Sequence, residues 1–136
     1  MLDNTDLQII DELLKNSRIK MKELGEKVHL TGPATTARVT KLEDSGIIEG
    51  YTIKVNQIKL GFNIHAFITI ITQSTNHQPY LKFLETQEEY IIKNYKISGD
   101  GCYLLECKFQ SNPQMNQFLE ELNEYANYKL SIVIDQ

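Results

Sequence analysis

The chain has 136 residues, 41% of them hydrophobic and 24% charged, with 14 basic against 18 acidic side chains and a formal net charge of −4. That length suits one ordinary domain or two small ones, and the charge imbalance is too small for disorder. No apolar run approaches the roughly 20 residues of a membrane helix, and the chain is polar and acidic from Asp3 to Asp6, so a cytoplasmic protein with neither span nor secretory signal is expected.

The acidity is unevenly placed. Residues 1–60 hold nine basic and nine acidic side chains, whereas residues 61–136 hold five and nine. Between Lys15 and Lys41 there are seven basic residues, Lys15, Arg18, Lys20, Lys22, Lys27, Arg38 and Lys41, against Glu23 and Glu26, a local net of +5. A chain that is acidic as a whole therefore carries a basic stripe.

In chain order, Leu2, Ile9, Ile10, Leu13 and Leu14 fall at helical spacing, and Asp3 and Asp6 place acceptor carboxylates where the first free N–H groups need them. Asn16-Ser17 ends this helix. Met21, Leu24 and Val28 predict a second helix of about two turns, with a weakly specified start at Lys20. A third helix starts at Thr31-Gly32-Pro33, where threonine can cap and proline fits a first turn, and stops at Ser45-Gly46. Three helices with a short break before the third have the form of a helix-turn-helix.

Beyond Gly46 the period shortens. Ile47, Ile48, Tyr51, Ile53 and Val55 predict a short strand, and Phe62–Thr72 a largely buried one. Tyr80–Leu84 reads as helix. Tyr90–Ile97 and Cys102–Phe109 read as strands joined by the hairpin turn Ser98-Gly99-Asp100-Gly101. Pro113 opens a helix with Met115, Phe118, Leu119 and Leu122 on one face, and Leu130–Ile134 is a last strand. The fold class is α+β, and the second half has the βαββαβ order of a ferredoxin-like module. Helices on one face of such a sheet leave the other apolar and exposed, to be covered by a second copy. Cys102 and Cys107, five apart on a strand, point to opposite faces and read as small buried hydrophobes. With His29, His65 and His77 scattered, neither a metal site nor a cofactor is expected.

The ordered set Leu2-Asp3-x-x-Asp6-x-x-Ile9-Ile10, Asn16-Ser17-Arg18, Glu23-Leu24-Gly25, Arg38-Val39-x-x-Leu42-Glu43-x-x-Gly46-Ile47-Ile48-x-x-Tyr51 and Leu60-Gly61, with the Gly99-containing turn, resembles the Lrp/AsnC family of transcriptional regulators over essentially the whole chain. The resemblance implies a winged helix-turn-helix over 1–50, a linker strand over 51–60, and a ferredoxin-like module over 61–136 that forms a homodimer or an octamer. It also implies double-stranded DNA as partner, and in many members a small-molecule effector.

By helical phase Thr35, Val39 and Leu42 face the core of the first module. Thr31, Gly32, Pro33, Thr36, Ala37, Thr40 and Lys41 then form the surface of a recognition helix spanning about 32–44. Good base-discriminating pairs need arginine, lysine, asparagine or glutamine, each worth roughly 1–3 kcal/mol, and this surface offers few. Modest direct readout supplemented by DNA shape is expected, with Arg18, Lys20, Lys22, Lys27 and Lys41 at phosphates. Arg38 either meets a phosphate or pairs with Glu43 or an acid of the first helix. Amino-acid-binding members of the family resemble one another at a Gly-x-x-Asp turn. Here Ser98, Gly99, Asp100, Gly101 and Cys102 occupy it, with Cys102 where the aspartate falls, so ordinary amino acids should bind weakly or not at all; the alternative is a plain hairpin turn. An architectural DNA-wrapping protein is the alternative function. A sirohaem decarboxylase-like enzyme is disfavoured because five basic residues in the second half suit a polyanionic tetrapyrrole poorly.

Overall fold

The computed structural model describes residues 1–136, which divide into two compact units, Met1–Lys54 and Val55–Gln136. The first is built from α1 (Asn4–Lys15), α2 (Met21–Val28) and α3 (Gly32–Asp44). Asp3 caps α1 reciprocally: its carboxylate accepts from the Asp6 amide at 2.8 Å, and its own amide donates to the Asp6 carboxylate at 3.2 Å. Ile9 and Leu13 then meet Ile19, Leu24, Val28, Val39 and Leu42 in one core. Lys20 makes no capping bond at the start of α2, as its chemistry implies.

The turn into α3 rests on a close approach. A Cβ at Gly25 would lie 2.5 Å from the Leu30 carbonyl oxygen and 2.8 Å from Thr35 Oγ1, so α2 and α3 can meet this closely only with glycine there. His29 turns the chain in the left-handed region at φ +61°, a conformation that costs an ordinary L-residue about 1 kcal/mol. Thr31 then caps α3 by accepting from the Ala34 amide at 3.2 Å. The buried Thr35 hydroxyl is satisfied within its own helix, donating to the Thr31 carbonyl at 2.8 Å. Gly46, at φ +79°, ends the element.

The strand expected over 47–55, and with it the linker strand over 51–60, is absent. Residues 51–56 have no ladder partner, and Gln57–Gly61 form a turn closed by the Phe62 amide on the Gln57 carbonyl at 2.9 Å. Tyr51, Ile53 and Val55 alternate as a strand would but stay exposed, because no other strand of the chain runs beside them.

The second unit contains β1 (Ile64–Ile71), α4 (Gln78–Glu85), β2 (Ile91–Lys96), β3 (Tyr103–Phe109), α5 (Asn112–Leu122) and β4 (Asn127–Ile132). Its sheet has the order β2-β3-β1-β4, all pairs antiparallel. Ala66, Ile68 and Ile70 of β1 and Tyr103, Leu105, Cys107 and Phe109 of β3 form one buried face against Tyr80, Phe83 and Leu84 of α4 and Phe118, Leu119 and Leu122 of α5. Three expectations are corrected. The last strand begins at Asn127, not Leu130, because Asn127 and Lys129 occupy the solvent-facing alternate positions of a strand whose other positions pack. The outer sheet face is mixed rather than apolar: His65, Phe67 and Thr69 lie beside Leu104, Glu106 and Lys108, and His65 Nε2 meets Glu106 Oε2 at 2.7 Å. Cys102 is half-buried just before β3, and only Cys107 is a buried core residue.

Replacing His29 by glycine should stabilise the protein by about 1 kcal/mol, read as a higher denaturant midpoint of the helical circular dichroism transition. An unchanged or lower midpoint would show that the left-handed turn carries no strain.

Candidate nucleic-acid interface and the β2–β3 turn

α3 presents two sides. Thr35, Val39 and Leu42 are buried, while Thr31, Pro33, Thr36, Ala37, Thr40 and Lys41 are exposed and Gly32 is half-buried. The Thr36 hydroxyl donates to the Gly32 carbonyl at 3.1 Å, so this side chain offers chiefly its methyl to a neighbour. The exposed surface is small, neutral and weakly hydrogen-bonding, apart from Lys41. A Cβ at Gly32 would lie 4.0 Å from Lys22 Cα, which brings the start of α2, flanked by Lys20 and Lys22, alongside the N-terminal end of α3.

The cations of the basic stripe sort into two groups. Lys15 and Lys27 approach Glu12 at 3.5 and 3.6 Å. Arg38 Nη1 lies 2.8 and 2.7 Å from the two oxygens of Asp3 and 3.2 Å from Asp6 Oδ1. Of the two acidic partners open to Arg38, the structure shows the acids of the first helix; Glu43 instead accepts from the Tyr51 hydroxyl at 2.8 Å. The Arg38 guanidinium, helped by the Asp6 amide, pulls the Asp3 carboxyl down to about 2, and the two aspartates raise Arg38 in turn. Arg18, Lys20, Lys22 and Lys41 are exposed and have no intramolecular acidic partner. The capping role of Asp3 is the one its spacing to Asp6 implies, and the ion pair with Arg38 realises the alternative of an acid of the first helix, with Asp3 filling both roles at once.

In the second unit, Ser98–Cys102 form a tight turn with Gly99 at φ +104° and Gly101 at φ +108°. A Cβ on Gly101 would sit 2.8 Å from Thr69 Cγ2 and 2.9 Å from the Ile70 carbonyl oxygen. The Cys102 amide donates to that same carbonyl at 2.7 Å, so the turn is stitched to the end of β1. Ser98 and Asp100 project into solvent, and the Cys102 thiol lies 3.4 Å from Thr72 Oγ1. Contact with Thr72 and the nearby Lys96 charge lower the Cys102 thiol, whereas burial pushes Cys107 up to about 12. The turn residues line no part of a cleft of about 680 Å³ in this unit, which lies on the outer sheet face among Gln57, His65, Glu106, Lys108 and Ile134. That cleft, with the otherwise unpartnered Gln57 Oε1 beside it, had no local signature in the sequence.

Comparison with known proteins agrees with this geometry. Residues 2–49 match the family profile described as winged helix-turn-helix DNA-binding, and residues 65–136 match the one described as Lrp/AsnC ligand binding domain. The chain is 65% identical over 134 residues to the HTH-type transcriptional regulator LrpA of Bacillus subtilis, covering 98% of each. The solved structure of B. subtilis LrpC is 33% identical, with a TM-score of 0.93 over 100% of this chain and 96% of that one. A regulator from Neisseria meningitidis solved as an L-Met complex shares the fold, with a TM-score of 0.90 at 22% identity over 100% of this chain and 92% of that one.

Two measurements follow from the geometry. Asp3 is depressed, so the stability its ion pair contributes is present above the ordinary carboxylate value of 3.8 and lost as pH falls through about 2. Carboxyl NMR should therefore place the Asp3 midpoint near 2, moving up toward 3.8 in Arg38→Gln. In native protein, iodoacetamide should modify Cys102 and leave Cys107 untouched until unfolding, as read by peptide mass; equal labelling would contradict the burial of Cys107.

Proposed function

The chain belongs to the Lrp/AsnC family of transcriptional regulators, and from that premise we propose that it binds double-stranded DNA with α3 in the major groove. The observation that carries this reading is the set of four exposed cations without acidic partners: Lys41 on α3, Lys20 and Lys22 at the start of α2 beside the N-terminal end of α3, and Arg18 in the turn before α2. They supply phosphate contacts, which fix register, while Thr31, Gly32, Pro33, Thr36, Ala37 and Thr40 touch base edges and thymine methyls. So neutral a surface reads bases modestly, and DNA shape supplies the remainder of the selectivity. Arg38 is left out of the contact set because its guanidinium is engaged by Asp3 and Asp6.

The second unit serves as the assembly module, its mixed outer sheet face covered by a second copy to give a homodimer or a larger closed assembly. Several heads on one DNA then add avidity to weak single-head readout. The Ser98–Cys102 turn is the effector position. L-Met accompanies the N. meningitidis relative; here the partly exposed Cys102 thiol and solvent-facing Asp100 lack the arrangement to balance an ammonium group, so standard amino acids bind weakly or not at all. No helix is long and apolar enough to cross a membrane, and the proposed place of action is the cytoplasm, with its DNA.

The test is binding as a function of salt. Each phosphate contact contributes roughly 0.9 to the slope of log affinity against log salt. Lys22→Ala with Lys41→Ala should therefore flatten the slope by about 2 per head, with helical dichroism unchanged. An unaltered slope removes both lysines from the interface. Footprinting separates the architectural alternative: discrete phased sites support regulation, and uniform protection supports wrapping.

A further inference from the structure

We propose that Asp3 and Asp6 are positioning residues for DNA recognition, holding α3 through Arg38 at the angle from which it reads the groove; this rests on the reading that α3 enters DNA. The need for such a hold comes from the packing of α3. Its 13 residues bury only Thr35, Val39 and Leu42, a single narrow ridge at i, i+4 and i+7. A helix seated on one ridge resists lifting but has little to oppose rolling about its own axis. Roll changes which exposed side chains face a groove, so it bears on selectivity more than on stability.

Arg38 lies to one side of that ridge and reaches α1 with short contacts to two aspartates. Its principal partner is itself hydrogen-bonded to the backbone. The Asp3 carboxylate is already fixed by the Asp6 amide at 2.8 Å, and the Asp6 carboxylate by the Asp3 amide at 3.2 Å. A cation pinned to anions that are themselves held by the backbone acts as a strut, unlike a pair between two mobile side chains. At the other end of α3, Glu43 accepts from the Tyr51 hydroxyl at 2.8 Å. The helix is thus tied by polar contacts in its middle and in its last turn, in addition to the buried Val39 and Leu42.

The proposal makes a prediction opposite in sign to plain electrostatics. A carboxylate on a DNA-binding unit repels phosphate, so removing one should strengthen binding to any duplex. A positioning carboxylate should, when removed, weaken binding to the preferred duplex alone. Asp3→Asn suits the test because asparagine caps a helix as well as aspartate does, leaving the charge as the difference.

The full-length wild type selects its tightest duplex from a random pool, and each variant is titrated against that duplex and against random-sequence duplex. Asp3→Asn should bind the selected duplex about three- to fivefold more weakly, the range expected of one well-held surface ion pair, while binding random duplex as well as or better than wild type. Arg38→Gln should show the same loss with the wild-type salt slope, and Asp3→Asn with Arg38→Gln should be no weaker than either alone. Arg38→Lys keeps the charge and leaves the cap untouched; its loss of selectivity gives the same comparison independently of Asp3. Equal tightening on both duplexes in Asp3→Asn, or a salt slope lower by about one in Arg38→Gln, overturns the proposal and leaves DNA binding standing. A wild type that selects no duplex overturns the DNA-binding reading and the proposal together.

Discussion

Position 25 has room for a hydrogen atom and nothing larger. The Leu30 carbonyl and the Thr35 hydroxyl both stand within 3 Å of where a Cβ would be, and this contact sets how closely α2 and α3 pack. From it follow the left-handed turn at His29, the exposed cap at Thr31 and the burial of Thr35, whose hydroxyl must then be satisfied inside its own helix. The side of α3 turned to solvent is what remains. A surface made of threonine, alanine, proline and glycine follows from this arrangement without any residue chosen to grip a particular base.

Charge does the rest of the sorting. The whole-chain value of −4 hides a stripe of seven cations, but three of these are internally engaged, Lys15 and Lys27 at Glu12 and Arg38 at Asp3 and Asp6. What reaches solvent without an acidic partner is a smaller and better localised set. The unpaired cations rather than the full seven set the field available at the surface.

Much of this architecture was legible in the sequence because its signals are local. Thr31-Gly32-Pro33 and Gly46 bound α3, and Ser98-Gly99-Asp100-Gly101 joins β2 to β3, as their chemistry implies. Alternating Tyr51, Ile53 and Val55 predict a strand but not its partner, and the structure has an unpaired, exposed segment there. The same limit applies to Arg38. Its partner lies 35 residues away, and no spacing rule distinguishes that aspartate from a phosphate. The outer sheet face misled differently: the run Phe62–Thr72 is apolar on average, yet one alternate set contains His65 and Thr69, and β3 adds Glu106 and Lys108 to that side.

The β2–β3 turn alternates between positions set by backbone geometry and positions that are free. Gly99 and Gly101 are held by their positive φ, and Gly101 also by the wall of Thr69 and Ile70, whereas Ser98 and Asp100 are exposed and Cys102 is half-exposed. Such a turn is evolvable in an unusually direct sense. Substitutions at 98, 100 and 102 can exchange acid for thiol, hydroxyl or base while the main chain stays where its glycines put it, so the side-chain chemistry of the turn can diverge between relatives in single steps without first passing through a destabilised fold.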